Sequence, residues 1–310
     1  MNILYLFDRE LWDHKTHRVR EMWAYALGDH AADAVEIWGP GWDGWDTSLG
    51  ADDNITRYPF DPDAVILYGV DQEHNPRGIR APKVLMFTDA NHPATQQTLD
   101  DIRPDLTVFT HPQDVGRWAV PGRIAVLHHC VLVDLYGNRR PIVDRPIHSL
   151  VAGRCSSPTY MLRGKFAALI RDRKIAGGIR PHPGDRLRSR AAAWMQLEDY
   201  ADELSRARLF LTCCGRFGYF YQKYLEAWAA GCVVIGSRPN DPDFARDFGD
   251  CLVEVSVDAD ERTIIDTVEG TLRDTVGMQQ RIDAAQASIR RSYTMEHYAT
   301  RLHNAIKDVL

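Results

Sequence analysis

The run Tyr221-Gln222-Lys223-Tyr224-Leu225-Glu226-Ala227-Trp228-Ala229-Ala230-Gly231-Cys232-Val233-Val234-Ile235-Gly236 leaves few folds open to this chain. Its first part reads as a helix with Lys223 and Glu226 one turn apart. Gly231 stops that helix, because a glycine just past a helix end accepts the left-handed conformation that terminates it. Cys232-Val233-Val234-Ile235 is apolar at every position. Such a strand belongs inside a parallel sheet covered on both faces. Upstream, Ala207-Arg208-Leu209-Phe210-Leu211-Thr212-Cys213-Cys214 reads as another strand, and Gly215-Arg216-Phe217-Gly218 links it to the helix. The unit is therefore strand, glycine-containing loop, helix, strand. Unpaired amides and the positive end of the dipole make the helix N-terminus suited to a phosphate.

The first half alternates in the same way. Ile3–Phe7, Ala34–Trp38, Ala64–Tyr68, Lys83–Phe87, Leu106–Thr110 and Ile124–Leu127 read as strands, and Thr16–Gly28 and Ala94–Ile102 as crossover helices. This pattern predicts an α/β fold with a parallel sheet between helices. Around Asn138–Pro146 the chain turns polar and proline-containing, which places a domain boundary there: residues 1–143 form the first domain and 144–292 the second. In the second, Ser149–Ala152 and Ile175–Ile179 read as strands flanking a helix over Tyr160–Arg171. A short helix over Tyr200–Ser205 precedes the Leu209–Thr212 strand, and Cys251–Val255 is a further strand. Three helices close the chain; the last places Met295, Tyr298, Leu302, Ile306 and Val309 on one face. A chain of 310 residues is long enough for two cores.

The apolar fraction of 45% and charged fraction of 26% are those of an ordinary globular protein. No apolar run is long enough to span a bilayer, and the apolar start Met1–Phe7 lacks the basic flank of a signal peptide. No pair of cysteines has the spacing of a metal site, so a cytosolic location with reduced thiols is expected. A formal charge of −6 gives no global attraction for nucleic acid. His128 and His129 are adjacent, and neighbouring residues of a strand point to opposite faces, which argues against a metal held by both.

Lys223, Glu226, Ala227, Ala229, Gly231 and Val234 resemble the K-x-x-E-A-x-A-x-G-x-x-V unit of GT-B glycosyltransferases, especially the group similar to the spore-maturation CgeB proteins. The resemblance implies the GT-B fold, with two Rossmann-like domains facing a central cleft. It implies transfer of a sugar from a nucleotide-sugar donor to an acceptor hydroxyl, without a metal or other cofactor. In that family the glutamate of this unit meets the donor ribose, a place Glu226 holds here. It also implies that the last segment, 293–310, crosses back to the first domain. Tyr160-Met161-Leu162-Arg163 is similar to the group's Y-x-x-R element, and Gly39-Pro40-Gly41-Trp42 to a G-P-G-W element. The resemblance covers the second half well and the first loosely. One departure bears on chemistry. Many retaining members have a second glutamate eight positions before the ribose-binding one; Gly218 stands there, which leaves retention or inversion open.

The candidate donor-binding residues are then Glu226, Lys223, Arg154, Arg163, Arg180, His182, Gly215 and Gly218. The arginines suit phosphate because a guanidinium fork matches two oxygens, and glycines let backbone amides approach a phosphate. His182 lies between two prolines and suits a base or phosphate. Trp42 and Trp45 are either stacking platforms or packing in a tight turn. If inversion occurs a general base must take the acceptor proton; Asp13, His14, Asp89 and His92 follow first-half strands and are the candidates. Three other readings stay open: a glycosyltransferase acting on a hydroxylated DNA base, a nucleotide-sugar epimerase, and a non-catalytic nucleotide-sugar-binding protein.

Overall fold

The computed structural model describes residues 1–9, 24, 26–69, 78–88, 90–137, 140–155, 158–180 and 197–310. Asp13, His14, Asp89, His182 and most of the Thr16–Gly28 helix lie outside them. Packing divides the chain into two units, Met1–His128 with Met295–Leu310, and His129–Thr294.

The first unit is built on six parallel strands: β1 (Asn2–Leu6), β2 (Ala34–Trp38), β3 (Ala64–Tyr68), β4 (Lys83–Phe87), β5 (Leu106–Phe109) and β6 (Arg123–Val126). Their order is β2-β1-β3-β4-β5-β6. β3 is buried at every position, as a strand covered on both faces must be. Two described helices, α1 (Ala51–Arg57) and α2 (Thr95–Ile102), lie between strands. Ile55, Leu99 and Ile102 pack with Leu4, Leu6, Val65 and Leu85.

The second unit holds a five-stranded parallel sheet, β7 (Ile147–Ala152), β8 (Gly178–Arg180), β9 (Ala207–Thr212), β10 (Val233–Gly236) and β11 (Val253–Glu254), in the order β11-β10-β9-β7-β8. Its helices are α3 (Val133–Tyr136), α4 (Met161–Arg171), α5 (Leu197–Ser205), α6 (Gln222–Ala229), α7 (Pro242–Phe248), α8 (Glu261–Arg273) and α9 (Thr275–Ser292). One core packs Leu204, Leu225 and Trp228 against Leu150, Phe210 and Val234. The other packs Leu162, Phe166, Ile264 and Val268 against Val151, Leu209 and Ile235. Alternate residues of β7, β9 and β10 thus serve opposite faces, which is why these strands are apolar throughout.

Three departures from the sequence reading have local causes. The strand expected at Ile175–Ile179 begins only at Gly178. Arg173 takes a left-handed φ of 57°, and the amides of Lys174 and Ile175 still bond the Leu169 carbonyl of the helix end. α7 was not anticipated; Asp241 caps it by accepting the Phe244 amide at 2.9 Å, with Pro242 at its start. Residues 129–143, assigned to the first domain from sequence, pack with the second unit. Tyr136 and Val131 join one of its cores and Ile142 the other. The terminal helix α10 (Met295–Lys307) groups with the first unit. Among the described residues no helix is long and apolar enough to cross a membrane.

The α6 core is aromatic. Trp228 is fully buried and stacks on Phe248 with ring centroids 4.7 Å apart and planes 6° from parallel. Trp228→Ala is expected to cost about 3–5 kcal/mol, the scale for removing a buried large aromatic. Equilibrium unfolding in urea checks this.

Candidate active site

The sheet of the second unit reverses its order at β7: the chain passes from β7 to β8 on one side, then returns to β9 on the other. In open parallel sheets the loops leaving two such strands diverge, and the crevice at their carboxyl ends is where ligands bind. Gly153 leaves β7 with a φ of 107°, a conformation that L side chains rarely adopt. A Cβ there would lie 3.1 Å from Lys223 Cε and 3.3 Å from Arg163 Nη1. Gly153, Lys223 and Arg163 therefore converge at the crevice, although they are far apart in sequence.

Arg163 is almost fully buried, at 2% exposure. Its Nη1 donates to the Arg154 carbonyl at 3.0 Å. Its Nη2 donates to Thr212 Oγ1 at 3.0 Å and the Cys213 carbonyl at 3.4 Å. The guanidinium also lies 4.6 Å from the centre of the Tyr160 ring. One side chain thus ties the loop after β7 to the end of β9. Both Nη atoms hold protein, so Arg163 is a floor of the crevice rather than an open phosphate clamp. Arg180, also expected at the donor, pairs through Nε with the carboxylate of buried Glu203 on α5. That pairing makes it a strut between β8 and α5. Arg154 presents an exposed side chain at the crevice mouth.

Glu226 sits on α6 one turn after Lys223. It is buried, at 6% exposure. Burial pushes its carboxyl above the ordinary carboxylate range, and Lys223, Tyr136 and Tyr200 pull it back only in part. The Lys223 ammonium lies 5.1 Å from the centre of the Tyr200 ring. Tyr136, Tyr200 and Gly153 were not singled out from sequence. Gly153 had a legible signal, a glycine directly after a strand; the tyrosines had none, because α3 and α5 meet α6 only in the folded unit.

Gly215 and Gly218 have left-handed φ values of 65° and 71°. The amides around them close the turn instead of facing an open phosphate site. Arg216 donates to the Thr159 carbonyl, Gly218 to Gly215 and Tyr219 to Cys214; Cys214 donates to Ser237 Oγ at 3.1 Å. On this side a pocket of about 390 Å³ opens between the first turn of α4 and the ends of β9, β10 and β11. Cys214, Gly215, Ser237, Arg238, Glu254 and Ser256 line it. Arg238 and Glu254 pair across it at 2.7 Å.

In the first unit, His92 is exposed and its Nδ1 accepts the Ala94 amide at 3.1 Å. Nε2 is the ring nitrogen left for proton transfer. Trp42 and Trp45 are half-buried packing residues. Trp42 Nε1 donates to the Phe7 carbonyl at 3.0 Å, and Trp45 sets its ring edge-on to Trp38 at 5.0 Å.

Residues 163–304 match the family model described as glycosyl transferase-like. No curated protein sequence matches the chain. Among solved structures, the Anabaena protein HepE in complex with UDP is similar over 99% of this chain and 100% of its own, with a TM-score of 0.64 at 12% identity. Sucrose-phosphate synthase from Thermosynechococcus elongatus covers 99% of this chain and 98% of its own, with a TM-score of 0.62 at 11% identity. An alpha-glucosyltransferase, solved with UDP and a DNA containing a HMU base, covers 99% of both chains with a TM-score of 0.63 at 10% identity. The chain has the two-sheet α/β fold of these glycosyltransferase structures, and its residues 163–304 are similar to the glycosyl transferase-like family. The matched residues include the crevice residues Arg163, Lys223 and Glu226 and both glycines of the turn.

A carboxyl that burial holds above its ordinary pKa binds its proton more tightly folded than unfolded. Its contribution to stability is full below the ordinary value and is lost as pH rises through the raised one. Glu226→Gln removes that loss. The variant is expected to melt higher than the parent near neutral pH, and the gap to close below about pH 4. Thermal melts of both proteins across that range check the sign.

Proposed function

We propose that the donor is a nucleoside diphosphate sugar, with UDP as its nucleotide, and that it sits at the β7–β9 crevice of the second unit. The observation that carries this reading is the convergence of Gly153, Lys223 and Arg163 on the crevice, with Glu226 one turn after Lys223 on α6. The missing Cβ of Gly153 admits a diphosphate beside the Lys223 ammonium. Arg154 at the mouth adds a second cation. Glu226, one turn further along α6, accepts hydrogen bonds from the ribose hydroxyls. Ser237, Ser256 and Glu254 offer the donors and acceptors that hydroxyls of a sugar ring need. UDP is favoured because the similar HepE and alpha-glucosyltransferase structures hold it.

In the reaction the bond between the anomeric carbon and the diphosphate oxygen breaks, and the acceptor oxygen bonds to that carbon. The electron pair leaves with the nucleoside diphosphate, and the acceptor proton goes to a base. Lys223 and Arg154 meet the charge that develops on the leaving group, where a preorganised cation lowers the barrier most. His92 Nε2 is the described candidate for the base.

Two outcomes are expected. Calorimetric titration should show UDP binding, weakened in Glu226→Ala by about 1.5–3 kcal/mol, the scale for hydrogen bonds to a charged group. Unchanged affinity would remove Glu226 from the donor site. Because Lys223 and Arg154 neutralise the diphosphate, release of UDP from a UDP-sugar should persist in excess EDTA. A strict requirement for Mn²⁺ or Mg²⁺ would refute that division of labour.

A further inference from the structure

The chain between β4 and α2 carries His92, and the connection from β5 to β6 fastens it on both sides of that residue. On the near side Ala90 is fully buried. Its amide donates to Asp114 Oδ2 at 3.3 Å, and its carbonyl accepts from Trp118 Nε1 at 2.8 Å. On the far side Gln96 of α2 meets the Ala119 backbone twice. Its Nε2 donates to the carbonyl at 3.0 Å, and its Oε1 accepts the amide at 2.9 Å. Asp114, Trp118 and Ala119 thus grip the segment before and after His92. The imidazole is held in turn through the Ala94 amide.

This grip is built at some cost. Asp114 is 1% exposed, and a carboxylate so deep needs charge and donors around it. Arg117 Nη1 donates to Oδ1 at 3.0 Å, and Oδ2 serves the Ala90 amide. The Asp114 amide bonds the His111 carbonyl, and its own carbonyl takes the Arg117 amide. The carboxylate therefore sits on a turn that is closed at both ends. A buried amide needs an acceptor, but a neutral one would serve with less desolvation. Burial of apolar area does not call for the grip at His92 and Pro93 either, because both are exposed. What the grip does is fix where the imidazole stands.

We infer that Asp114 and Trp118 are positioning residues: by holding Ala90 at its amide and its carbonyl, they keep His92 where it meets the acceptor proton. This rests on the reading of His92 as the base, given above, and names the residues through which the fold places it. A displacement of about 1 Å at a reacting group costs on the order of 10²-fold in rate while the substrate still binds.

The experiment measures UDP release from UDP-glucose, UDP-galactose and UDP-N-acetylglucosamine, with water as acceptor. It compares the full chain with its variants Trp118→Phe, Asp114→Ala, Asp114→Asn and His92→Ala. Trp118→Phe keeps a ring in the core and loses only the donor. That variant and Asp114→Ala should lower kcat about 10- to 100-fold. KM and the affinity for UDP should stay within about twofold of the parent. Asp114→Asn keeps an acceptor for the Ala90 amide and should recover most of the loss. In the His92→Ala background, Trp118→Phe should lower kcat no further, because residues that act as one unit are not additive. A parent-like kcat in Trp118→Phe overturns the inference. So does a further loss of kcat in the His92→Ala background, which marks a general structural role. Where Asp114→Ala does not fold, Trp118→Phe decides alone. A parent-like kcat in His92→Ala overturns the base reading, and a parent that releases no UDP from any of the three sugars overturns the transfer reading. Either takes the inference with it, and both are distinct from its own failure, which is read from an active parent that needs His92.

Discussion

Everything at the candidate site hangs on the Arg163 guanidinium. Where a parallel sheet reverses its order, the loops on either side diverge, and nothing in the sheet ladder holds them in register. Arg163 spans that gap with a rigid fork, bonding Arg154 on one side and Thr212 and Cys213 on the other. Both Nη groups are bonded in this way, so the loops cannot move apart without leaving more of a buried charge unsatisfied. The bridge positions Gly153, and through Gly153 the approach to Lys223. A lysine at position 163 would keep the charge and lose the fork.

Glu226 shows the opposite balance. Arg163 is stabilised by the groups around it; Glu226 is destabilised, because its carboxylate is buried and Lys223, Tyr136 and Tyr200 offset that only in part. The low polarity that raises its pKa also strengthens any hydrogen bond it makes to a bound hydroxyl. On the donor reading proposed above, an arrangement that is poor for the free protein is good for the complex, a conflict between levels that is expected at functional sites. In the first unit, by contrast, Trp42 donates to the Phe7 carbonyl and Trp45 sets its ring against Trp38 on β2, and both indoles pack the Gly39–Trp45 turn.

The strands were legible in the sequence because burial on both faces imposes a continuous apolar run. β2, β3 and β4 have the bounds their sequences predict. The Glu226 helix and the turn before it were legible for similar reasons: Gly231 and Gly215 stand where left-handed backbone is required, at φ values of 76° and 65°. Where local signals competed with packing, the reading failed. Ile175 looks like a strand residue and is held in a helix end by the Leu169 carbonyl. Residues 129–143 read as the end of the first domain, yet Tyr136 is part of a core of the second unit.

By itself, then, the sequence determined the α/β class, the parallel sheets and the place of Lys223 and Glu226 on one helix face. These follow from short-range rules of period, capping and backbone freedom that a few neighbouring residues satisfy alone. The tertiary structure decided which charges the protein itself uses. Whether Arg163 and Arg180 meet a ligand or the protein depends on carbonyls and carboxylates distant in the chain. The same holds for the hydroxyls beside Glu226: Tyr136, Tyr200 and Glu226 come from three helices, and only the packing of those helices on one sheet brings two phenols to one carboxylate.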